Sequence, residues 1–332
     1  MPSDDFSFIT DNVKNLRRSC NHSSLRVCTF SAGLMHPYLD EEPLFKYFSH
    51  KVRNISSVYG NLAAIYFLIN LALMKTKLRP PGKFNSFLRY PILIKVLDKL
   101  KSSDIMCFQH VANTPSNEKL LSNCFKDHGL ISYGLTSNFY GDGLSILFDQ
   151  NKLLLDSHQL INFKKPSSFT PGRTGTAYIK ARFLHTPTLK ILNVYNVRLR
   201  DGSSNYRHQC IDQLLDDVLN ISPDSSCLIF MDLNAPMKSL EFSRLQGFNF
   251  GDRFLSEAYA YLKGEIACEE VDFTQHNFSP LDPLVRFKGR NDLIFYSSDF
   301  VATSIKTIRD SCLGIYPSYH YPVVATISAI DN

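Results

Sequence analysis

Cys227-Leu-Ile-Phe-Met-Asp232-Leu-Asn234-Ala-Pro236 sets an unbroken apolar run against an acid and an amide two residues apart. A short apolar run bounded by turn residues reads as a buried strand, which puts Asp232 and Asn234 at its carboxyl end. Alone, Asp-x-Asn after a strand is turn or helix-cap chemistry. The pattern recurs, however. Residues 104–111 (DIMCFQHV) close a buried strand with Gln109 and His110, residues 290–296 (RNDLIFY) open one at Asp292, and Ser318-Tyr319-His320 precedes a last one at 323–327. Polar side chains gathered at the ends of buried strands are where a layered α/β protein carries its chemistry.

Around these segments, β-rich runs at 25–30, 144–148, 177–183 and 189–197 alternate with helical stretches. Residues 87–100 place Leu88, Ile92, Val96 and Leu100 on one stripe, and residues 207–219 form a second helix. No repeat period and no long Pro/Gly/Ser linker divides the chain. The prediction is an α/β fold.

The 332 residues are 44% hydrophobic and 20% charged, which excludes a disordered or collagen-like chain. The net charge of +5 permits a polyanionic partner without requiring one. Eight widely spaced cysteines without a Cys-x-x-Cys pair argue for reduced thiols rather than a zinc site or disulfide framework. The start of the chain is polar and acidic, unlike a signal or transit peptide, so a cytoplasmic or nuclear location is expected. Residues 58–74 (VYGNLAAIYFLINLALM) fall short of the roughly 20 apolar residues of a spanning helix and contain two asparagines. Three readings stand for them: a buried or groove-covering helix, a membrane contact, and a segment foreign to the core fold.

The ordered motifs resemble the endonuclease/exonuclease/phosphatase superfamily, in its branch of nocturnin, Angel and carbon catabolite repressor deadenylases. Residues 26–31 (RVCTFS) are similar to the opening strand that ends in Tyr-Asn, and 87–94 (FLRYPILI) to the helix before a Leu-Gln-Glu strand. Residues 142–148 (DGLSILF) are similar to the Asp-Gly-Cys-Ala-Ile run, 255–259 (LSEAY) with Phe273-Thr274 to the Leu-x-Ser-Ala-Tyr and Thr blocks, and 291–296 (NDLIFY) to Asp-Tyr-Ile-Phe-Tyr. The resemblance implies a four-layer α/β sandwich, two mixed β-sheets flanked by helices. It would span residues 25–330, after an N-terminal extension at 1–24 and with an apolar insertion at about 55–84. The implied activity is magnesium-dependent hydrolysis of a phosphodiester, usually RNA from its 3′ end, or of a phosphate ester.

Carried over residue by residue, Asp232, Asn234, Asp292 and His320 match catalytic positions. Asp292 would orient His320, and Asp232 and Asn234 would touch water and phosphate. Four other matched positions are changed: Ser31 stands for Asn, His110 for the metal-binding Glu, Arg198 for His, and Tyr319 for Asp. Met231 stands for Gly and is expected to crowd the site. Magnesium takes oxygen ligands at about 2.1 Å, and imidazole replaces a carboxylate poorly. The resemblance therefore implies a deadenylase-like protein that is catalytically impaired.

The substitutions shift the site by about +3 in formal charge, comparable to a bound divalent cation. That suggests binding of RNA or a nucleotide without a metal cofactor, with Arg198 and Asn234 as phosphate ligands and Arg200, Arg207, Arg286, Lys288 and Arg290 as nearby cations. The bland alternative has Arg198 pairing with Asp232 or Asp292 and plugging the pocket. Two other functions stay open. One is an active exonuclease or nucleotide phosphatase using Mg, Mn or Zn on a rearranged set that includes His110 and Asp232. The other is a scaffold for a protein partner or membrane through 58–74.

Overall fold

The computed structural model describes residues 24–34, 86–135, 143–164, 176–199, 203–264, 272–276, 289–311 and 316–330. Segment 58–74, Asp142, Arg200, Arg286 and Lys288 lie outside them. Among the described residues no helix is long and apolar enough to cross a membrane.

Thirteen described strands form two mixed sheets. The first runs β12(Phe300–Thr307), β13(Val323–Ala329), β1(Ser24–Leu34), β2(Ile105–Val111), β4(Gly143–Asp149), β3(His128–Gly134). The second runs β5(Leu153–Asn162), β6(Ala177–His185), β7(Lys190–Arg198), β8(Ser225–Asp232), β11(Asp292–Ser297), β10(Arg253–Glu257), β9(Asn249–Phe250). Each sheet contains one parallel pair, β1 with β2 and β7 with β8, and the other described pairings are antiparallel. A parallel pair needs a crossover, supplied for β7 and β8 by helix α3(Ser204–Leu219). Ser203 caps that helix by accepting from the Tyr206 amide.

Period-two alternation builds four layers. Leu25, Val27, Ile105, Cys107 and Ile146 meet Ile179, Ala181, Val194, Leu228, Phe230 and Ile294 between the sheets. The intervening Cys28, Phe30, Met106 and Phe108 face α1(Ser86–Leu100) and α2(Pro115–Cys124), through Val96, Leu97, Leu100, Leu120 and Leu121. Tyr195, Val197, Ile229, Met231 and Phe295 face α3 and α4(Leu240–Leu245), through Ile211, Leu214, Phe242 and Leu245. A further helix, α5(Ala258–Lys263), follows β10. The expected four-layer sandwich is what the structure shows.

Met231 does not crowd the polar end of β8. Alternation turns it outward into the apolar layer under α3, where it is fully buried.

Gly143 is fixed by a close approach: a Cβ there would lie 2.2 Å from the Val111 carbonyl oxygen and 2.7 Å from that of Tyr133. Backbone atoms cannot yield as a flexible side chain can. Gly143→Ala is expected to destabilise the fold by about 2 kcal/mol or more, a typical cost of overpacking. A urea midpoint unchanged from that of the parent protein would contradict this packing.

Candidate functional site

The two parallel pairs place their carboxyl ends together. On β8 the inward positions run Leu228, Phe230, Asp232, on β7 Val194, Asn196, Arg198, and Asp292 opens β11 opposite Asp232. From the first sheet come Thr29 and Ser31 of β1 and Gln109 of β2, on the same face as Val27 and Cys107.

These side chains form a buried polar seam. Gln109 Nε2 donates to Asn196 Oδ1 at 2.8 Å and to Thr29 Oγ1 at 3.1 Å. Asn196 Nδ2 donates to the carbonyls of Phe108 at 3.0 Å and Ser145 at 2.9 Å. Buried polar groups need such partners, and here the partners join one sheet to the other. Asn196 was not singled out in the sequence, although it is the one amide among the inward residues of β7.

Asp232, fully buried, is the centre of the site. Its Oδ2 accepts from Ser31 Oγ at 3.1 Å and lies 3.1 Å from His110 Nε2. Arg198 Nε donates to the same His110 Nε2 at 3.0 Å. One nitrogen cannot serve both at once: its lone pair takes the guanidinium proton in one tautomer, and its N–H meets the carboxylate in the other. Arg198 thus reaches Asp232 through His110. Alternation alone would turn residue 110 toward α1 with Met106 and Phe108, but a left-handed φ of 56° at His110 brings the ring to Asp232. Asn234 has the same backbone sign, φ 51°, and its Nδ2 donates to the Leu199 carbonyl at 2.9 Å.

On the other side, His320 Nδ1 donates to Asp292 Oδ2 at 2.6 Å, and Asp292 Oδ1 accepts from the Ser31 amide at 3.3 Å. Thr274 Oγ1 accepts from the amides of Asn291 and Asp292, while Ser318 Oγ donates to the Ser31 carbonyl. Tyr319 packs edge-on against both imidazoles, with centroids 5.4 Å from His110 and 4.6 Å from His320. Its ring also lies against Gly33, where a Cβ would come within 3.3 Å of Cε1. Asp232 Oδ1 and His320 Nε2 have no hydrogen-bond partner among the described residues.

Burial alone would raise the Asp232 carboxyl, but the hydrogen bond with His110 and the charges of His320 and Arg198 outweigh it and hold it below the usual carboxylate range. Burial would lower His320, yet the Asp292 carboxylate, by charge and hydrogen bond, holds it above the usual imidazole value. His110 goes the other way, down to about 4, because it is buried and faces Arg198. Arg198 and, by its raised value, His320 thus answer the carboxylates of Asp232 and Asp292 with positive charge.

Magnesium does not fit this set. Its carboxylate ligands would be Asp232, with one oxygen already engaged by Ser31 and His110, and Asp292, engaged by His320 and the Ser31 amide. The remaining groups are an imidazole and a guanidinium, and the cations repel a divalent ion. Among the described residues no group of three or more His, Cys, Asp and Glu could hold a metal.

Two expected neighbours are elsewhere. Arg207 pairs with Glu241 at 2.9 Å between α3 and α4, and Arg290 is buried over the Tyr259 ring at 3.7 Å with Nη1 donating to the Asp272 carbonyl. Both are held by local packing partners that sequence proximity to the motifs did not reveal.

No protein-family model and no curated protein matches the chain. Solved structures do. An endonuclease/exonuclease/phosphatase from Bacteroides vulgatus is similar at TM-score 0.64 and 14% identity, over 92% of this chain and 99% of that one. The human nocturnin catalytic domain, with a bound sulfate anion, is similar at TM-score 0.61 and 15% identity, over 92% and 94%. D. rerio TDP2, complexed with a single-strand DNA product, is similar at TM-score 0.60 and 15% identity, over 92% and 100%. The chain has the endonuclease/exonuclease/phosphatase fold.

The two imidazoles should titrate on opposite sides of the usual value near 6.5. In 15N spectra assigned with His110→Gln and His320→Gln variants, His110 is expected to stay neutral down to about pH 4 and His320 to titrate above the usual imidazole value. Stability linked to His110 is then lost as pH falls from about 6.5 toward about 4. Stability linked to His320 is present below about 6.5 and lost as pH rises through its raised value. Two overlapping titrations near 6.5 would contradict the charge arrangement.

Proposed function

We propose that this chain is a catalytically impaired, deadenylase-like member of the endonuclease/exonuclease/phosphatase superfamily, its domain at 25–330, that binds the phosphate of RNA or a nucleotide without a metal. The observation that carries this reading is the Arg198–His110 pair seated on Asp232. A guanidinium fixed beside the retained Asp232, Asn234, Asp292 and His320 supplies positive charge of the kind a metal otherwise brings to a phosphate. What these residues lack is the other half of catalysis. With an imidazole at 110 and a phenol at 319, two carboxylates that would help Asp232 and Asp292 hold a Lewis acid are missing, and losing such charge stabilisation typically lowers rates by orders of magnitude.

Fold relatives that carry a sulfate or a single-strand DNA product are consistent with an anionic ligand. The five described cysteines are free thiols, which accords with a reducing compartment, cytoplasmic or nuclear. One observation favours a second reading, an active metal-dependent exonuclease or nucleotide phosphatase. The Asp292–His320 pair is intact, and Asp232 Oδ1 and His320 Nε2 meet no protein partner among the described residues.

Labelled poly(A) incubated with the protein in magnesium, manganese and zinc separates the two, with Asp232→Ala as control. No turnover is expected. RNA binding should be indifferent to chelator and fall about tenfold in Arg198→Ala, the scale of one charge-assisted hydrogen-bond pair. Turnover abolished by Asp232→Ala would establish the second reading, and absence of binding with and without chelator would overturn the first.

A further inference from the structure

Outside the seven-stranded sheet, away from Asp232, the strands β5, β6 and β7 bring two polar rows together. Register sets Ser157 opposite Arg182 and Arg182 opposite Asn193, and sets Gln159 opposite Lys180 and Lys180 opposite Tyr195. Alternation sends these side chains outward, because Ile179, Ala181 and Phe183 fill the layer between the sheets. Helix α3 covers Tyr195 but ends at Leu219, so the turn at 220–225 walls the rows on one side rather than roofing them. The result is a cavity of about 350 Å³, floored by Ser157, Gln159, Lys180, Arg182 and Asn193 and walled by Asn220, Ser222 and Ser225. That volume lies at the small end of the roughly 300–1,000 Å³ of ligand sites.

The lining has a definite chemistry. Besides the imidazole of His158 and the apolar Ile221, it offers hydroxyls, amides and two cations, with no carboxylate and no Phe, Tyr or Trp among its residues. Lys180 Nζ is held at 2.6 Å by Asp217, which leaves two of its three protons for a ligand. Arg182 Nε meets Asp156 at 3.4 Å, and its two terminal nitrogens make no hydrogen bond among the described residues. The negative end of α3 is blunted, since Asn220 Nδ2 donates to the Asp216 carbonyl at 2.7 Å. A guanidinium fork suits a phosphate, and the amides and hydroxyls suit a polyol. The one aromatic ring of the lining, His158, is engaged by Tyr133, with ring centroids 5.8 Å apart and Nδ1 2.8 Å from the Tyr133 hydroxyl, so the cavity offers a base no Phe, Tyr or Trp platform.

We infer that this outer-sheet cavity is a second binding site, for a sugar phosphate, presented free or as the ribose-phosphate backbone of a nucleic-acid strand. It is separate from the Arg198 site: five residues of β7 at about 3.3 Å each put the two roughly 17 Å apart, on opposite faces of the sheet.

Calorimetric titration of the full chain in chelator with ribose 5-phosphate, and separately with a short oligouridine, tests the assignment on the parent protein, Arg182→Glu and Arg198→Ala. Arg182 is about half exposed, so its reversal leaves the fold intact. Two binding events are expected, one that falls at least tenfold in Arg182→Glu and persists in Arg198→Ala, and one that Arg198→Ala weakens. Such loss with ribose 5-phosphate identifies a free sugar phosphate as sufficient, and such loss with oligouridine alone identifies a strand backbone. No binding of either ligand, or binding unchanged in Arg182→Glu, overturns the inference. Oligouridine binding lost only in Arg198→Ala overturns it while leaving the function proposed above intact, and loss only in Arg182→Glu does the reverse.

Discussion

One buried carboxylate holds the site and the two sheets in register. Asp232 ends a central strand of the second sheet, and its Oδ2 is contacted from the first sheet by Ser31 of β1 and His110 of β2. A charge taken out of water is costly unless it is paired and hydrogen-bonded, so whatever surrounds Asp232 must answer it. Behind it, the Gln109–Asn196–Thr29 seam fixes how the sheets face one another. The position of Arg198 and the left-handed turn at His110 serve that carboxylate.

Proteins that recognise phosphate must set positive charge among acids without letting the acids collapse onto it. On the reading proposed above, this chain would meet that requirement with its own side chains. Arg198 and the Asp292-bound His320 stand against Asp232 and Asp292, and the imidazole of His110 mediates between guanidinium and carboxylate. A tethered guanidinium cannot supply what a divalent ion does for an attacking water, because it neither lowers the pKa of a bound water nor coordinates phosphate oxygens as a Lewis acid. It can present a fork of N–H donors to a phosphate. On the proposed reading, the same exchange of groups separates recognition from hydrolysis.

Much of this was legible in the residues. The apolar runs before Asp232 and around His110 fixed buried strands, and period two alone sends Asp232, Asp292, Arg198 and Gln109 to a common face. The fold class followed from the order of the motifs. What escaped depends on three dimensions. Alternation turns His110 away from the site, and only its positive φ brings it back. Met231 looked like an obstruction because it adjoins Asp232, yet adjacent strand residues face opposite layers. Arg207 and Arg290 were close in sequence but are claimed by Glu241 and by Tyr259 with Asp272. Strand β5 carried no clear pattern because its central residues are solvent-exposed at the sheet edge, and so the outer cavity it helps to form had no signature.

The central claim is that Arg198 and His110 stand in place of a metal. Thermal melting of the parent protein in chelator and in millimolar magnesium, beside the double variant His110→Glu with Arg198→His, tests it most directly. A ligand that binds only the folded state raises the melting temperature. The parent protein should melt at the same temperature in both conditions, and the double variant should melt lower in chelator and regain stability with magnesium. Magnesium-dependent stabilisation of the parent protein itself would contradict the account.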